Sequence, residues 1–170
     1  MIRKALAASF AALFIFCGSA QAADFSGRAR VIDGDTISIR KQRIRIAGID
    51  ACERDQTGLK DGKVWRCGAA ARSHLGKMID GQHVRCDIID QDQYRRLVGQ
   101  CFIGDVDIGL AMVKAGLAEA MLRYLPASHS ISEVEYGQAE HSARDNGFGI
   151  WSAEIESPHL YRRSKSSVRP

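Results

Sequence analysis

The sequence predicts an α+β fold, a five-stranded OB-type barrel carrying three helices, and three observations support this. Five short runs rich in β-branched residues are separated by turn residues. One helical run lies between the third and fourth of these and two follow the fifth, which is the connectivity of an OB barrel with added helices. The chain has 170 residues, 45% hydrophobic and 26% charged, enough for one domain with its own core and unlike a disordered polyelectrolyte.

Each element has a local reason. Residues 28–32 run into Asp33-Gly34-Asp35, a tight-turn signature, and Thr36-Ile37-Ser38-Ile39 resumes with period two. A third run over 43–49 completes a β-meander. Residues 51–66 are polar and contain glycine, and are expected to form a long loop. A helix is expected over 68–79, with Ala70, Leu75 and Met78 on one face and Gly81 as its stop. Two more strands follow over 83–89 and 96–103, joined by polar residues 90–95. Residues 106–121 are expected to form the second helix, with Leu110, Met112, Val113 and Leu117 apolar and Gly116 near its end. Residues 126–132 form a loop, and Ser132, Glu133 and Glu135 mark the start of a third helix reaching Asp145. Ile150 and Trp151 supply a closing apolar plug to a domain spanning 23–151. Residues 152–170, with Arg162, Arg163, Lys165 and Arg169, are expected to be a flexible basic tail.

The first 22 residues read as a secretory signal peptide. Arg3 and Lys4 precede an apolar run over 5–16, and Ala20-Gln21-Ala22 supplies a small-residue cleavage site. Lipoprotein processing at Cys17 is disfavoured by the bulky Phe14-Ile15-Phe16 before it. Removing two basic residues lowers the formal net charge from +4 to +2, so bulk attraction to an anionic partner is weak. The expected location is secreted or periplasmic, with no stable membrane association and a monomeric chain.

An oxidising compartment changes how the cysteines are read. Cys52, Cys67, Cys86 and Cys101 remain after signal removal, with neither C-x-x-C nor zinc-type spacing. Three pairings are open to them. Local pairing, Cys52–Cys67 clipping the long loop and Cys86–Cys101 tying neighbouring strands, is the one expected. The five histidines are scattered, without H-E-x-x-H spacing, and are assigned to surface or packing.

Chemistry-bearing residues collect at strand ends. Asp33 and Asp35 lie in the first hairpin, and Asp50 and Glu53 follow the third strand. A lone turn aspartate is commonly there for local hydrogen bonding. Four carboxylates near one another repel, however, and an oxygen-only set suits a hard cation such as Ca²⁺. Arg45 alternates with the apolar Ile44 and Ile46. It shares a site with Asp50 only if the chain turns near Gly48. Arg95 and Arg96 follow Asp92-Gln93-Tyr94. Guanidinium forks beside a cation site make a phosphodiester-binding arrangement.

Three ordered segments resemble the motifs of the staphylococcal nuclease family: Ile32-Asp33-Gly34-Asp35-Thr36, Arg45-Ile46-Ala47-Gly48-Ile49-Asp50-Ala51-Cys52-Glu53, and Asp92-Gln93-Tyr94-Arg95-Arg96. Gly116-Leu117-Ala118 and Gly149-Ile150-Trp151 extend the resemblance over roughly 26–151. It implies an OB barrel with three helices and Ca²⁺-dependent hydrolysis of single-stranded DNA or RNA phosphodiesters, leaving 3′-phosphates. Carried over, Asp35, Asp50 and the main-chain carbonyl of Ala51 resemble the Ca²⁺ ligands, with Asp33 behind them. Glu53 resembles the general base, and Arg45 and Arg96 the phosphate-binding arginines. Tyr94, Arg95 and Tyr124 are the candidate substrate contacts.

Three positions depart from the family pattern. Cys52 replaces a proline, Arg95 replaces a glycine, and Leu122 replaces a base-contacting tyrosine. The alternatives to a nuclease are a nuclease-like module that binds nucleic acid or protein without cleaving, and a disulfide-stabilised envelope protein with another ligand. The first requires loss of a metal carboxylate, a motif arginine or Glu53, and all are present.

Overall fold

A computed structural model describes residues 24–167. The expected signal peptide and Cys17 lie outside these residues. Ten strands and four α-helices succeed one another as β1 (Asp24–Asp33), β2 (Thr36–Ile39), β3 (Gln42–Ile46), β4 (Ile49–Ala51), β5 (Gly58–Lys60), β6 (Lys63–Trp65), α1 (Cys67–Ile79), β7 (His83–Gln91), β8 (Leu97–Ile103), β9 (Val106–Asp107), α2 (Ile108–Lys114), β10 (Ala118–Ala120), α3 (Glu133–Asp145) and α4 (Pro158–Ser167).

The barrel closes because β3 pairs with β8 as well as with β2. Strands run β3-β2-β1-β7-β8 around the sheet, and the parallel β3–β8 pairing, Ile44 opposite Leu97, joins its two ends. Period-two alternation turns Ile37, Ile39, Ile44, Ile46 and Val84 inward, each fully buried or within 1% of it. Leu75 and Ile79 of α1, Ile108, Met112 and Val113 of α2, and Tyr136 of α3 plug the interior. Each such aliphatic side chain contributes roughly 1.5–3 kcal/mol on burial. Tyr136 Oη donates to both Asp107 carboxylate oxygens, at 3.0 and 3.1 Å, and Asp107 also accepts from Leu110 N at the start of α2. One carboxylate thereby caps α2 and docks α3.

The structure corrects the expected elements at five places. The run over 43–49 is two strands, β3 and β4, because the chain turns at Gly48, whose φ is +78°. The loop over 51–66 contains the β5–β6 hairpin, turned at Asp61-Gly62. The buried stripe of α1 is Ala71, Leu75 and Ile79 rather than one built on Ala70 and Met78. The second helix is shorter than expected: its Asp107 cap starts it at Ile108, and residues 118–120 form β10 against β4. Finally, the expected flexible tail holds a helix, α4, so the domain carries four helices rather than three. Ser157 and Pro158 set its start, with Tyr161 N donating to Ser157 O at 3.0 Å. Among the described residues, no helix is long and apolar enough to cross a membrane.

Both cysteine pairs are disulfides, Cys52–Cys67 and Cys86–Cys101. The second joins register partners of β7 and β8 inside the barrel wall. The first joins the end of β4 to the first turn of α1 and packs against Ile150, Trp65 and Trp151.

Candidate active site

The site is a groove of about 1240 Å³ on one side of the barrel, reached by the β1–β2 turn, the β3–β4 turn, the loop after β4, the β7–β8 turn and one residue of α4. Each contributes for a local reason. The β1–β2 turn places Asp33 and Asp35 two residues apart; Asp33 accepts from Gly34 N at 3.0 Å and closes the turn. Burial pushes the Asp33 carboxyl above its ordinary value, against the pull of that bond, and the neighbouring Asp35 adds to the rise.

Gly48 brings β4 back beside β3. Arg45, on β3, then donates to Asp35 Oδ2, to Asp50 Oδ1 at 3.0 Å, and to the Ile49 carbonyl at 3.1 Å. Asp50 is fully buried and Asp35 nearly so. The odd spacing between Arg45 and Asp50 is therefore bridged by the turn at Gly48. Burial of the Arg45 guanidinium works against its charge, yet Asp35 and Asp50 together raise its pKa above the usual value.

The loop after β4 carries Glu53 and is held from three sides. The Cys52–Cys67 bridge fixes the preceding residue to α1. Gly68 lets α1 approach the Glu53 main chain, since a Cβ there would lie 1.9 Å from Glu53 O. Gln56, buried although polar, accepts from Glu53 N at 3.1 Å and donates to Glu156 O at 2.7 Å, splinting the loop to the segment before α4. Burial raises the Glu53 carboxyl above its ordinary value, and the Arg162 bond offsets part of that rise.

The β7–β8 turn places Arg96. Asp92 Oδ1 accepts from the main-chain N–H of Tyr94 and of Arg96, each at 2.9 Å, while Asp92 Oδ2 accepts from Arg96 Nε at 2.7 Å. Arg95 adopts a left-handed φ of +63°, the conformation favouring the glycine that the family pattern has there, and its side chain is exposed on the groove wall. Arg96 Nη1 reaches Thr36 Oγ1 at 3.4 Å, and Thr36 donates to Asp35 Oδ1 at 2.8 Å. Tyr94 and Tyr124 line the groove with rings that are 71% and 73% exposed, available for stacking. Ala51 is buried in β4 opposite Ala118 and also lines the groove.

One residue that sequence reasoning placed in a tail belongs to the site. Arg162 of α4 donates to Asp50 Oδ1 and Oδ2, both at 2.7 Å, and to Glu53 Oε1 at 3.1 Å. Burial opposes its charge, but the bonds to Asp50 and Glu53 prevail and raise its pKa beyond the usual guanidinium range. The signal for its helix was present in Ser157-Pro158, a capping residue followed by proline at the first helical position. The polar composition that follows obscured it.

Two buried carboxylates, Asp35 and Asp50, converge on the one Arg45 guanidinium, so they already share a cationic position. Among the described residues, no group of three or more His, Cys, Asp or Glu is arranged to hold a metal ion. A two-carboxylate, all-oxygen set fits a hard cation that fills its shell with a main-chain carbonyl, water and a substrate oxygen.

A family model described as "Staphylococcal nuclease homologue" matches residues 43–153. The chain belongs to the staphylococcal nuclease family. That membership carries the enzyme class, a nuclease. Among its relatives, "Succinoglycan biosynthesis protein ExoI" of Rhizobium meliloti (strain 1021) is 31% identical over 98% of this chain and 85% of that protein. An "Uncharacterized endonuclease" of Escherichia coli O157:H7 is 29% identical over 90% of this chain and 95% of its own length. A "Probable endonuclease lcl3" of Sclerotinia sclerotiorum is 32% identical over 80% of this chain and 53% of its own length. The chain thus spans about half of that fungal relative. The nuclease family's closed mixed barrel is the one formed here by β1, β2, β3, β7 and β8.

Proposed function

We propose that the protein is an exported, Ca²⁺-dependent phosphodiesterase that cleaves single-stranded DNA or RNA and leaves 3′-phosphate ends. The observation that carries this reading is a continuous hydrogen-bonded chain of site groups, running Arg96, Thr36, Asp35, Arg45, Asp50, Arg162 and Glu53 along one groove. Asp35, Asp50 and the Ala51 carbonyl would hold the cation, with Asp33 shaping the turn behind them. When bound, Ca²⁺ supplies positive charge to a phosphoryl oxygen and orients water.

The protein's own groups supply the rest. Glu53 accepts a proton from the water that attacks phosphorus; its raised pKa makes it a better acceptor than an ordinary surface carboxylate. The P–O5′ bond breaks, the 5′ oxygen leaves and is protonated from solvent, and the phosphate stays on the 3′ oxygen. Arg45 and Arg96 hold the added negative charge of the pentacovalent transition state, where one preorganised donor is worth roughly 3–4 kcal/mol. Tyr94 and Tyr124 offer stacking faces to bases on either side, and Arg95 an added phosphate contact. The two disulfides support export into an oxidising compartment.

The test is digestion of single-stranded DNA and RNA by the mature chain with Ca²⁺, with chelator, and as Glu53→Gln, followed by analysis of product ends. Cleavage should require Ca²⁺, yield 3′-phosphates and fall about 10²–10⁴-fold in the variant. Binding without Ca²⁺-stimulated cleavage, unaffected by Asp35→Asn, would instead identify a binding module.

A further inference from the structure

Arg162 stands outside the matched family region, yet it takes the carboxylate at the centre of the site. Its guanidinium fork engages both oxygens of the fully buried Asp50 and one oxygen of Glu53. A cation held by Asp50 needs the same lone pairs. Arg45 also bonds Asp50, but it is fixed on a barrel strand by Asp35 and the Ile49 carbonyl and is only 20% exposed. The Arg162 side chain is 37% exposed and is carried by a terminal helix. That helix is tied to the loop after β4 by the exposed Lys165–Asp55 ion pair, and the segment before it by Gln56. Of the two arginines, Arg162 has the easier exit.

Arg162 lines the groove together with Asp33, Asp35, Glu53 and Arg45. A guanidinium that leaves Asp50 but remains nearby is placed to meet the substrate.

We propose that Arg162 is a further arginine of the site, a positioning residue that pairs Asp50 and Glu53 before the cation arrives and is displaced from Asp50 when it binds. The proposal rests on the reading that Asp35 and Asp50 hold a divalent cation. In effect α4 is a latch built onto the barrel, and cation binding and latch closure compete for one carboxylate.

Two measurements on the full mature chain test it, neither using catalytic activity. Calorimetric titration with Ca²⁺ alone should show Arg162→Ala binding about tenfold more tightly than the parent, within the usual range for coupled sites. Arg163→Ala, an exposed neighbour on the same helix, should match the parent. Hydrogen exchange of the unaltered chain should show the α4 amides exchanging faster when Ca²⁺ is added, which tests displacement even if a variant folds poorly. Equal Ca²⁺ affinity of parent and Arg162→Ala overturns the latch while leaving the nuclease reading intact. Tighter binding with unchanged α4 exchange reduces Arg162 to a through-space charge and also overturns it. If neither chain binds Ca²⁺, the cation site fails, and the latch with it.

Discussion

Two arginines reach Asp50 from opposite kinds of structure. Arg45 comes from the barrel wall, on a strand paired on both sides, with its guanidinium already committed to Asp35 and a main-chain carbonyl. Arg162 comes from a short terminal helix resting against the loop after β4. The contrast separates geometry that the fold enforces from geometry added to it. The barrel fixes where the carboxylates lie, whereas α4 decides what faces them.

The sharpest way to break this comparison is to remove each arginine in turn and measure stability by urea unfolding in chelator. Arg45→Ala leaves the buried Asp50 with one of its two arginines and Asp35 with only the Thr36 hydroxyl. It should cost about 3–4 kcal/mol, as for breaking a buried ion pair. Arg162→Ala leaves Arg45 in place on the buried Asp50 and removes a side chain that water already reaches, so a smaller loss of about 2 kcal/mol is expected. Equal losses would mean that α4 is as integral as the barrel wall.

The disulfides extend the comparison. Both close the same sequence separation of 15 residues, so their removal should cost similar stability, about 3 kcal/mol each. Their effects on cleavage should differ. Replacing Cys52 and Cys67 by alanine loosens the Glu53 loop and should lower kcat about tenfold or more, because small misplacements of a catalytic group cost rate steeply. Replacing Cys86 and Cys101, inside the wall, should leave kcat nearly unchanged at temperatures where the chain stays folded. Equal kcat losses in the two variants would remove the special role of the first bridge.

The smallest effect concerns Glu119, on β10 opposite Asp50. Burial first, then Asp50 and Glu140, push its carboxyl up to about 7, from an ordinary 4.5. Because the folded value is the higher one, the stabilising contribution of the protonated acid is complete below about pH 4.5 and is lost as pH rises through 7. Glu119→Gln, a mimic of the neutral acid, should match the parent near pH 4. In chelator at pH 8 it should be about 1 kcal/mol more stable, a figure reduced for the half-exposed position. A difference that does not change with pH would show that burial and the neighbouring Asp50 and Glu140 do not raise the Glu119 carboxyl.

Much of this protein was legible from local pattern. Period-two alternation placed Ile37, Ile39, Ile44 and Ile46 on an inward face. Ser132 with Glu133 and Glu135 marked the start of α3, and local spacing paired the cysteines. These features depend on neighbours a few residues away, and such neighbours are visible in a linear string. The ordered acidic and arginine motifs likewise named the groups that line the groove.

Tertiary structure decided what depends on distant partners. Residues 118–120 form a strand rather than a helix end because β4 offers an open edge. Gln56 is buried because it has two main-chain partners, one of them a hundred residues away. Residues 158–167 form an ordered helix whose polar sequence gives little apolar drive to fold alone. Docking supplies what composition lacks, since Arg162 finds Asp50 across 112 residues and Lys165 finds Asp55 across 110. The sequence by itself determined which residues carry charge and which strands form the barrel. Only the packed chain decided which charges meet, because an ion pair depends on distance in space and carries no periodic trace in the sequence.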